Sequence, residues 1–182
     1  NTGRILDLLD ERGLTATFFC LGWIAERNPE LIRSIHSRGH EVACHGYLHQ
    51  VISLQGPSGF REDVTRAKGV LEDCIGEPVI GYRAPTYSIT GKTLWALGIL
   101  EELGFRYDSS IFPIHHDNYG IPDAPRVPHR LADSTLVEFP ISTLRVGKLN
   151  LPVSGGGYFR LLPYPVTRFA LKNIQREGIP FI

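Results

Sequence analysis

His45 and His49 stand four residues apart in the run His45-Gly46-Tyr47-Leu48-His49. A histidine pair at i and i+4 can bring both imidazoles to one side of a turn, within reach of a single metal ion. The same spacing also fits two surface or core histidines bonded to backbone, and spacing alone does not separate the two. Position brings the metal reading level with the structural one: the pair directly follows a short strand, His40 to Cys44, and Gly46 permits an abrupt turn there. His36 and His40 lack that context, one falling on a helix and the other opening the strand, so backbone-bonded structural roles are expected for both.

Arg83 ends the next strand in Tyr82-Arg83-Ala84-Pro85-Thr86-Tyr87. A guanidinium followed by a turn that proline stiffens can hold a carboxylate in bidentate geometry; the plainer reading is a surface ion pair, which is worth little. Asp108 closes a third strand before Ser109-Ser110. It can orient a histidine or a substrate hydroxyl, or it can simply form a turn or a helix cap. The segment Pro113-Ile114-His115-His116-Asp117-Asn118-Tyr119-Gly120 mixes imidazole, carboxylate and aromatic groups. Such a mixture suits sugar binding, with rings stacked on the pyranose and polar groups on its hydroxyls. A second metal site and a self-contained structural loop are the other readings.

The elements that must position these groups alternate in type. Residues 15–21 form a β-branched and aromatic run expected as a buried strand. Residues 23–38 carry Ile24, Leu31, Ile32 and Ile35 in helical rhythm, broken near Pro29 and ended by Gly39. After the His40–Cys44 strand, Phe60, Val64, Ala67, Leu71 and Cys74 keep helical spacing from Ser58 until Gly76. Pro78–Tyr82, Phe105–Asp108 and Leu136–Ile141 read as further strands, with a helix over 91–103 capped by Thr90 between the first two. Residues 112–130 read as a long ordered loop, Ser154-Gly155-Gly156-Gly157 as a turn or close-approach site, and Pro163–Glu177 as a last helix stopped by Gly178. Repeated alternation of strand and helix implies an α/β fold with a mostly parallel sheet, open or closed into a barrel. Active sites of such folds gather at the C-terminal ends of the strands, where His45, Arg83 and Asp108 all fall.

Composition excludes several classes of partner. The chain has 182 residues, 42% of them apolar and 21% charged, as in an ordinary globular domain. Its 19 Lys and Arg balance 19 Asp and Glu, so it carries no electrostatic footprint for nucleic acid or an acidic membrane surface. No apolar run approaches the ~20 residues of a membrane span, and no N-terminal stretch has the layout of a signal peptide. There is no methionine; the chain opens on a helix that Thr2 can cap, with Ile5, Leu6, Leu8 and Leu9 on one face. It closes on Ile179-Pro180-Phe181-Ile182, which reads as a strand just begun, so both ends are expected to be cut. Cys20, Cys44 and Cys74 form no C-x-x-C pair and lie in apolar segments; buried free thiols are expected rather than a disulfide.

Three segments, ThrAlaThrPhePhe at 15–19, GlyHisGluValAlaCysHisGlyTyrLeuHis at 39–49 and ArgAlaProThrTyr at 83–87, occur in an order and spacing that resembles the polysaccharide deacetylase family. This is the NodB-homology domain of carbohydrate esterase family 4. TyrAspSerSerIlePhePro at 107–113, HisAspAsnTyrGlyIlePro at 116–122 and GlyGlyGlyTyrPheArg at 155–160 resemble the subgroup found with bacterial exopolysaccharide loci, including exosortase-associated ones. The resemblance implies a distorted (β/α) barrel in which residues 1–182 are one catalytic domain, truncated at both ends. It further implies a divalent metal, most often zinc, held by His45, His49 and an upstream aspartate. Arg83 matches the arginine that orients a catalytic aspartate, and Thr86 falls where a backbone N–H stabilises the oxyanion. Asp108 lies near a looser fourth motif. The base aspartate and the acid histidine of the family are expected outside residues 1–182. Cys44 stands where a small polar residue is common in the family; its alternation with His45 points the thiol the other way, as core filler.

The implied activity is metal-dependent hydrolysis of N-acetyl groups from a polysaccharide or oligosaccharide, releasing acetate. Tyr87, His116, Asp117 and Tyr119 are the expected contacts to that N-acetylated substrate. No nucleic-acid partner and no membrane span are expected. Free cysteines and the subgroup point to the bacterial cytoplasm. The alternatives are an allantoinase-like C–N hydrolase on the same scaffold, and a non-catalytic carbohydrate-binding module. The polymer and the oligomeric state are not specified by the sequence.

Overall fold

The computed structural model describes residues 1–182. Helix α1 (Thr2–Arg12) leads into strand β1 (Thr17–Cys20). Thr2 lies inside that helix rather than at its cap, which is Asn1. The single broken helix expected next is two helices, α2 (Gly22–Arg27) and α3 (Pro29–Ser37). Pro29 sits in the first turn of α3, where its missing N–H has no intrahelical partner to lose. Strand β2 (Glu41–Cys44) follows, then the long α4 (Ile52–Ile75). The regular part of α4 starts at Pro57, because Gly56 at φ 67° and ψ 174° is not helical; a short extra turn from Ile52 precedes it. Strand β3 (Gly81–Tyr82), helix α5 (Trp95–Glu102) and strand β4 (Tyr107–Asp108) complete the regular alternation. Helix α5 begins later than expected. Residues before it form turns in which Thr93, not Thr90, is the central hydroxyl, donating to Ser88 O at 2.8 Å and accepting from Thr90 N at 2.9 Å.

The C-terminal third departs further from expectation. The loop after β4 contains strand β5 (His129–Arg130), which pairs antiparallel with β6 (Val137–Glu138). A hairpin of β7 (Thr143–Val146) and β8 (Leu149–Pro152) turns at Gly147. The glycine run opens a short helix α6 (Gly156–Leu161) before the final α7 (Tyr164–Arg176). The sequence carries its signal, since Leu144 and Val146 alternate with polar residues before Gly147-Lys148, and Leu149 and Leu151 do so after it.

The main sheet has the order β1-β2-β3-β4-β6-β5, parallel throughout except for β5, so the chain adopts the expected α/β architecture. One sheet face carries Phe18, Val42, Cys44 and Tyr82, which join Ala25, Ile32, Ile35, Phe60, Val64, Ala67 and Leu71 of the helices in one core. Phe60 is fully buried and meets Tyr82 and Trp95 edge-on, at 5.8 Å in each case. Gly22 allows α2 to lie directly on α4, since a Cβ there would stand 2.8 Å from Ala67 Cα. All three cysteines are free, and burial pushes the Cys20 and Cys44 thiols up to about 12, so both are inert core groups. His40 departs from its expected role. It is buried against Phe18, yet neither ring nitrogen has a hydrogen-bond partner. No helix is long and apolar enough to cross a membrane.

Two acids are buried on the same helix-facing side. Asp108 and Glu138 are register partners across β4 and β6, and both are fully buried. Asp108 Oδ1 accepts from Ser110 Oγ at 2.5 Å, and Glu138 Oε1 accepts from the N–H groups of Ser110 and Ile111 at 3.2 and 2.9 Å. The remaining oxygens, Asp108 Oδ2 and Glu138 Oε2, are buried without a hydrogen-bond partner, an environment that favours keeping a proton on the pair over ionising both acids. Burial raises Asp108 to about 6, and burial together with the neighbouring Asp108 carries Glu138 well above the usual carboxylate range.

Phe60→Ala should destabilise the fold by about 3–5 kcal/mol, read as a lower urea midpoint at unchanged m-value. A second expectation concerns pH. Because the folded pair holds its proton above the unfolded pKa of about 4, its contribution is complete below that value. It is lost as pH rises through about 6 and beyond. Glu138→Gln removes one of the two titrating acids, so urea unfolding should show wild type losing stability relative to this variant between pH 5 and pH 8.

Candidate active site

Four backbone bonds align the strand ends. His45 N donates to Cys20 O at 2.9 Å, Arg83 N to Cys44 O at 3.0 Å, Ser109 N to Tyr82 O at 2.9 Å, and Phe139 N to Asp108 O at 2.8 Å. Each donor stands one residue beyond the in-register set Cys20, Cys44, Tyr82, Asp108 and Glu138. Side chains alternate along a strand. With that set facing the helices, His45, Arg83, Ser109 and Phe139 share the opposite face at the C-terminal edge of the sheet. Phe19, Arg83, Tyr107, Ser109 and Phe139 line a cleft of about 450 Å³ there, with Thr17 and Glu41 deeper along the strands. Gly81 makes room for it: a Cβ at that position would overlap the ring of Tyr107, which crosses β3 to donate to Glu41 Oε1 at 2.8 Å.

The same alternation corrects one expectation. Asp108 points to the helix side, is fully buried and pairs with Glu138. It lines neither the cleft nor the histidine pair; it accepts from Ser110 Oγ at 2.5 Å, and that hydroxyl accepts from Ala84 N at 2.7 Å, so it braces the turn after Arg83 from the helix side.

His45 and His49 come together, their ring centroids 5.0 Å apart and nearly perpendicular. His45 Nδ1 lies 2.7 Å from Arg83 O. A carbonyl can only accept, so Nδ1 carries the hydrogen and Nε2 keeps its lone pair. Burial lowers His45 to about 4, partly offset by that bond, so the ring is neutral near pH 7. The loop is braced from several sides. Asp63 Oδ2 accepts from Tyr47 N at 2.8 Å, and Gly22 N and Trp23 N donate to Gly46 O and Tyr47 O at 3.0 and 3.2 Å. Gly46 adopts φ 76°, and a Cβ on it would stand 2.9 Å from Asp63 Oδ2. His49 itself holds φ 59°, a left-handed conformation that costs a non-glycine residue on the order of 1–3 kcal/mol.

Arg83 is held by its neighbour strand. Its Nε donates to Ser109 O at 2.8 Å and its Nη2 to Ser109 Oγ at 2.6 Å, while its Cζ lies 4.2 Å above the Phe19 ring. No carboxylate among residues 1–182 pairs with it, and burial depresses its pKa. Beyond Pro85, Thr86 and Tyr87 take φ 56° and 51° in succession, and a β-branched residue in that region is a true outlier. The turn leaves the Thr86 N–H without an intramolecular acceptor.

The expected substrate contacts gather in part. Tyr87 meets Phe112 and Tyr119 edge-on at 5.4 and 6.0 Å, and the Tyr119 and Tyr158 hydroxyls are 3.1 Å apart. His116 lies flat on Tyr119 at 3.8 Å, so that face of the tyrosine is taken and the exposed ring of the pair is His116. Asp117 is exposed and lines a groove of about 420 Å³ with His116, Tyr119 and Lys92. Ser109, Phe112 and Tyr158 were not singled out from the sequence. Gly155, at φ 96°, lets the Tyr87 hydroxyl approach to 3.2 Å of where a Cβ would be, so the glycine run held a signal for that contact.

The donor set fits half of a metal site. Two imidazoles converge, one of them neutral with its tautomer fixed, but no group of three or more His, Cys, Asp or Glu side chains converges anywhere in residues 1–182.

Residues 1–107 match the family model described as polysaccharide deacetylase, and residues 109–182 match one described as a domain of unknown function, DUF3473. A peptidoglycan-N-acetylglucosamine deacetylase of Bacillus cereus is 32% identical over 181 residues, covering 100% of this chain and 78% of its own. A peptidoglycan deacetylase-like protein of Gibberella zeae is 32% identical over 111 residues, and there the match spans 60% of this chain but only 32% of the relative's length. Among solved structures, a Mycobacterium smegmatis protein described as a polysaccharide deacetylase superposes with a TM-score of 0.66 at 33% identity. That superposition covers 96% of this chain and 57% of the other. A family match over more than half the chain, joined by a relative similar along the whole of this chain and 78% of its own length, makes this chain a member of the polysaccharide deacetylase family.

Proposed function

We propose that the whole protein hydrolyses N-acetyl groups on a polysaccharide or oligosaccharide, releasing acetate, with exopolysaccharide modification as its setting. The observation that carries this reading is the His45–His49 pair, convergent at 5.0 Å, with the His45 tautomer set by the Arg83 carbonyl. Imidazole donors at this spacing suit zinc, and a backbone acceptor on the distal ring nitrogen is the usual support for a histidine ligand. His45 through Nε2, and His49, are the residues that would hold the ion. Bound there, zinc supplies Lewis acidity toward the acetamide carbonyl.

The chain's own groups supply the rest of this reading. Arg83 offers charged N–H donors that can orient a general-base carboxylate. Thr86 N–H, free of any intramolecular acceptor, is available to the oxyanion as the tetrahedral intermediate forms; one such donor is typically worth about 3 kcal/mol. His116 presents the exposed ring and Asp117 the exposed carboxylate for sugar face and hydroxyls, while Tyr87 and Tyr119 support them from beneath.

His45→Ala and His49→Ala should each abolish zinc retention, read by metal analysis, and acetate release from N-acetylhexosamine oligomers. Full acetate release from thoroughly chelated, metal-free protein would refute the metal-dependent reading. Ring-opening of allantoin without acetate release would instead assign an allantoinase-like hydrolase. His116→Ala should raise KM about three- to tenfold with kcat little changed, the cost of one stacking contact of about 0.5–1.5 kcal/mol.

A further inference from the structure

We propose that Ser109 is a positioning residue for Arg83, fixing the guanidinium so that one edge is presented to a carboxylate. This deepens the proposed hydrolase reading and rests on it. Ser109 is only 2% exposed, and every polar group it has is engaged. Its N–H donates to Tyr82 O at 2.9 Å and its carbonyl accepts Arg83 Nε–H at 2.8 Å. Its hydroxyl accepts from Arg83 Nη2 at 2.6 Å while donating its own hydrogen to Phe139 O at 2.8 Å. The hydroxyl rotor is therefore locked with a lone pair toward Arg83, and the serine is tied to β3 and to the residue after β6 at once. Ser110 cannot substitute. Its hydroxyl faces the other way, donating to Asp108 Oδ1 and accepting from Ala84 N at 2.7 Å.

A guanidinium has five N–H groups. Ser109 uses the Nε–Nη2 edge, and the Phe19 ring lies 4.2 Å from Cζ across one face. What remains is the terminal edge formed by Nη1 and the second Nη2 hydrogen, two parallel donors matched to the two oxygens of a carboxylate. A largely buried cation with no anionic partner in residues 1–182 is costly to maintain, and a carboxylate on that edge relieves the cost. Without the Ser109 hydroxyl the plane is held only at Nε and can rotate, so a carboxylate seated on it loses its fixed direction.

The test uses the whole protein and acetate release from N-acetylhexosamine oligomers. Ser109→Ala should lower kcat about tenfold with KM within about twofold, the loss of one charge-assisted contact acting in the transition state. The acidic limb of its pH profile for kcat/KM should move to higher pH, because a less well paired carboxylate is a stronger base. A merely structural serine would not move that limb. Ser109→Thr, which keeps the hydroxyl, should restore both. In an Arg83→Lys background, Ser109→Ala should add little further loss. An unchanged kcat and acidic limb in Ser109→Ala, with Arg83→Gln inactive, would overturn the role of Ser109 alone. Wild-type activity in Arg83→Gln would instead overturn the reading of Arg83 on which it stands.

Discussion

The ladder of backbone bonds joining the strand ends sets every other feature of the site. His45, Arg83, Ser109 and Phe139 each donate to the carbonyl one strand back, at 2.8–3.0 Å, so four side chains from distant parts of the sequence rise at the same level. A parallel ladder advances by whole residues, and a slip of one residue in β2 or β3 would turn His45 or Arg83 toward the helices. The two-residue strands β3, β4 and β6 look too short to define a register by themselves. Their alignment is secured on the helix side, where Tyr82 packs against Phe60 and Phe105 and the Asp108–Glu138 pair joins β4 to β6.

The electrostatics of the two sheet faces differ in kind. Toward the helices, two acids settle their proximity and burial by keeping a proton, so that side avoids holding two adjacent negative charges. Toward the cleft, Arg83 keeps its charge and its hydrogens are spoken for on one edge only, while His45 is kept neutral by burial. A positive edge beside a basic lone pair is an arrangement that attracts an anion and a cation to adjacent places. Strain accompanies it: His49, Thr86 and Tyr87 all hold positive φ, and all three belong to the two turns that follow β2 and β3. Backbone cost concentrated at strand ends, braced by Asp63 and by the N-terminus of α2, is how a fold holds groups where free chains would not put them.

The loop between β4 and β5 builds a second wall from aromatic rings. Phe112 and Tyr119 pack with Tyr87, and Tyr158 of α6 meets Phe112 from behind, so the turn that carries Thr86 leans on the segment that carries His116 and Asp117. The boundary between the two family models falls at residues 107–109, beside Ser109, yet Arg83 from one side and Ser109 from the other share two hydrogen bonds. The segment matched to a domain of unknown function thus contributes directly to the geometry of the deacetylase segment.

Local patterns in the sequence sufficed for the alternation of strand and helix, the free cysteines, the strand-end position of His45 and Arg83, and the placing of His49 in the turn that follows β2. These depend on periodicity, on glycine and proline at turns, and on motifs whose residues are near neighbours. Only the tertiary structure decided that Asp108 turns away from the cleft, that Ser109 grips Arg83, and that His116 covers Tyr119. It also left His40 buried without hydrogen-bond partners. The reason is physical. The face that a two-residue strand shows is set by which residues it pairs with across the sheet, and a hydrogen bond spanning 26 residues leaves no trace in the spacing of either end.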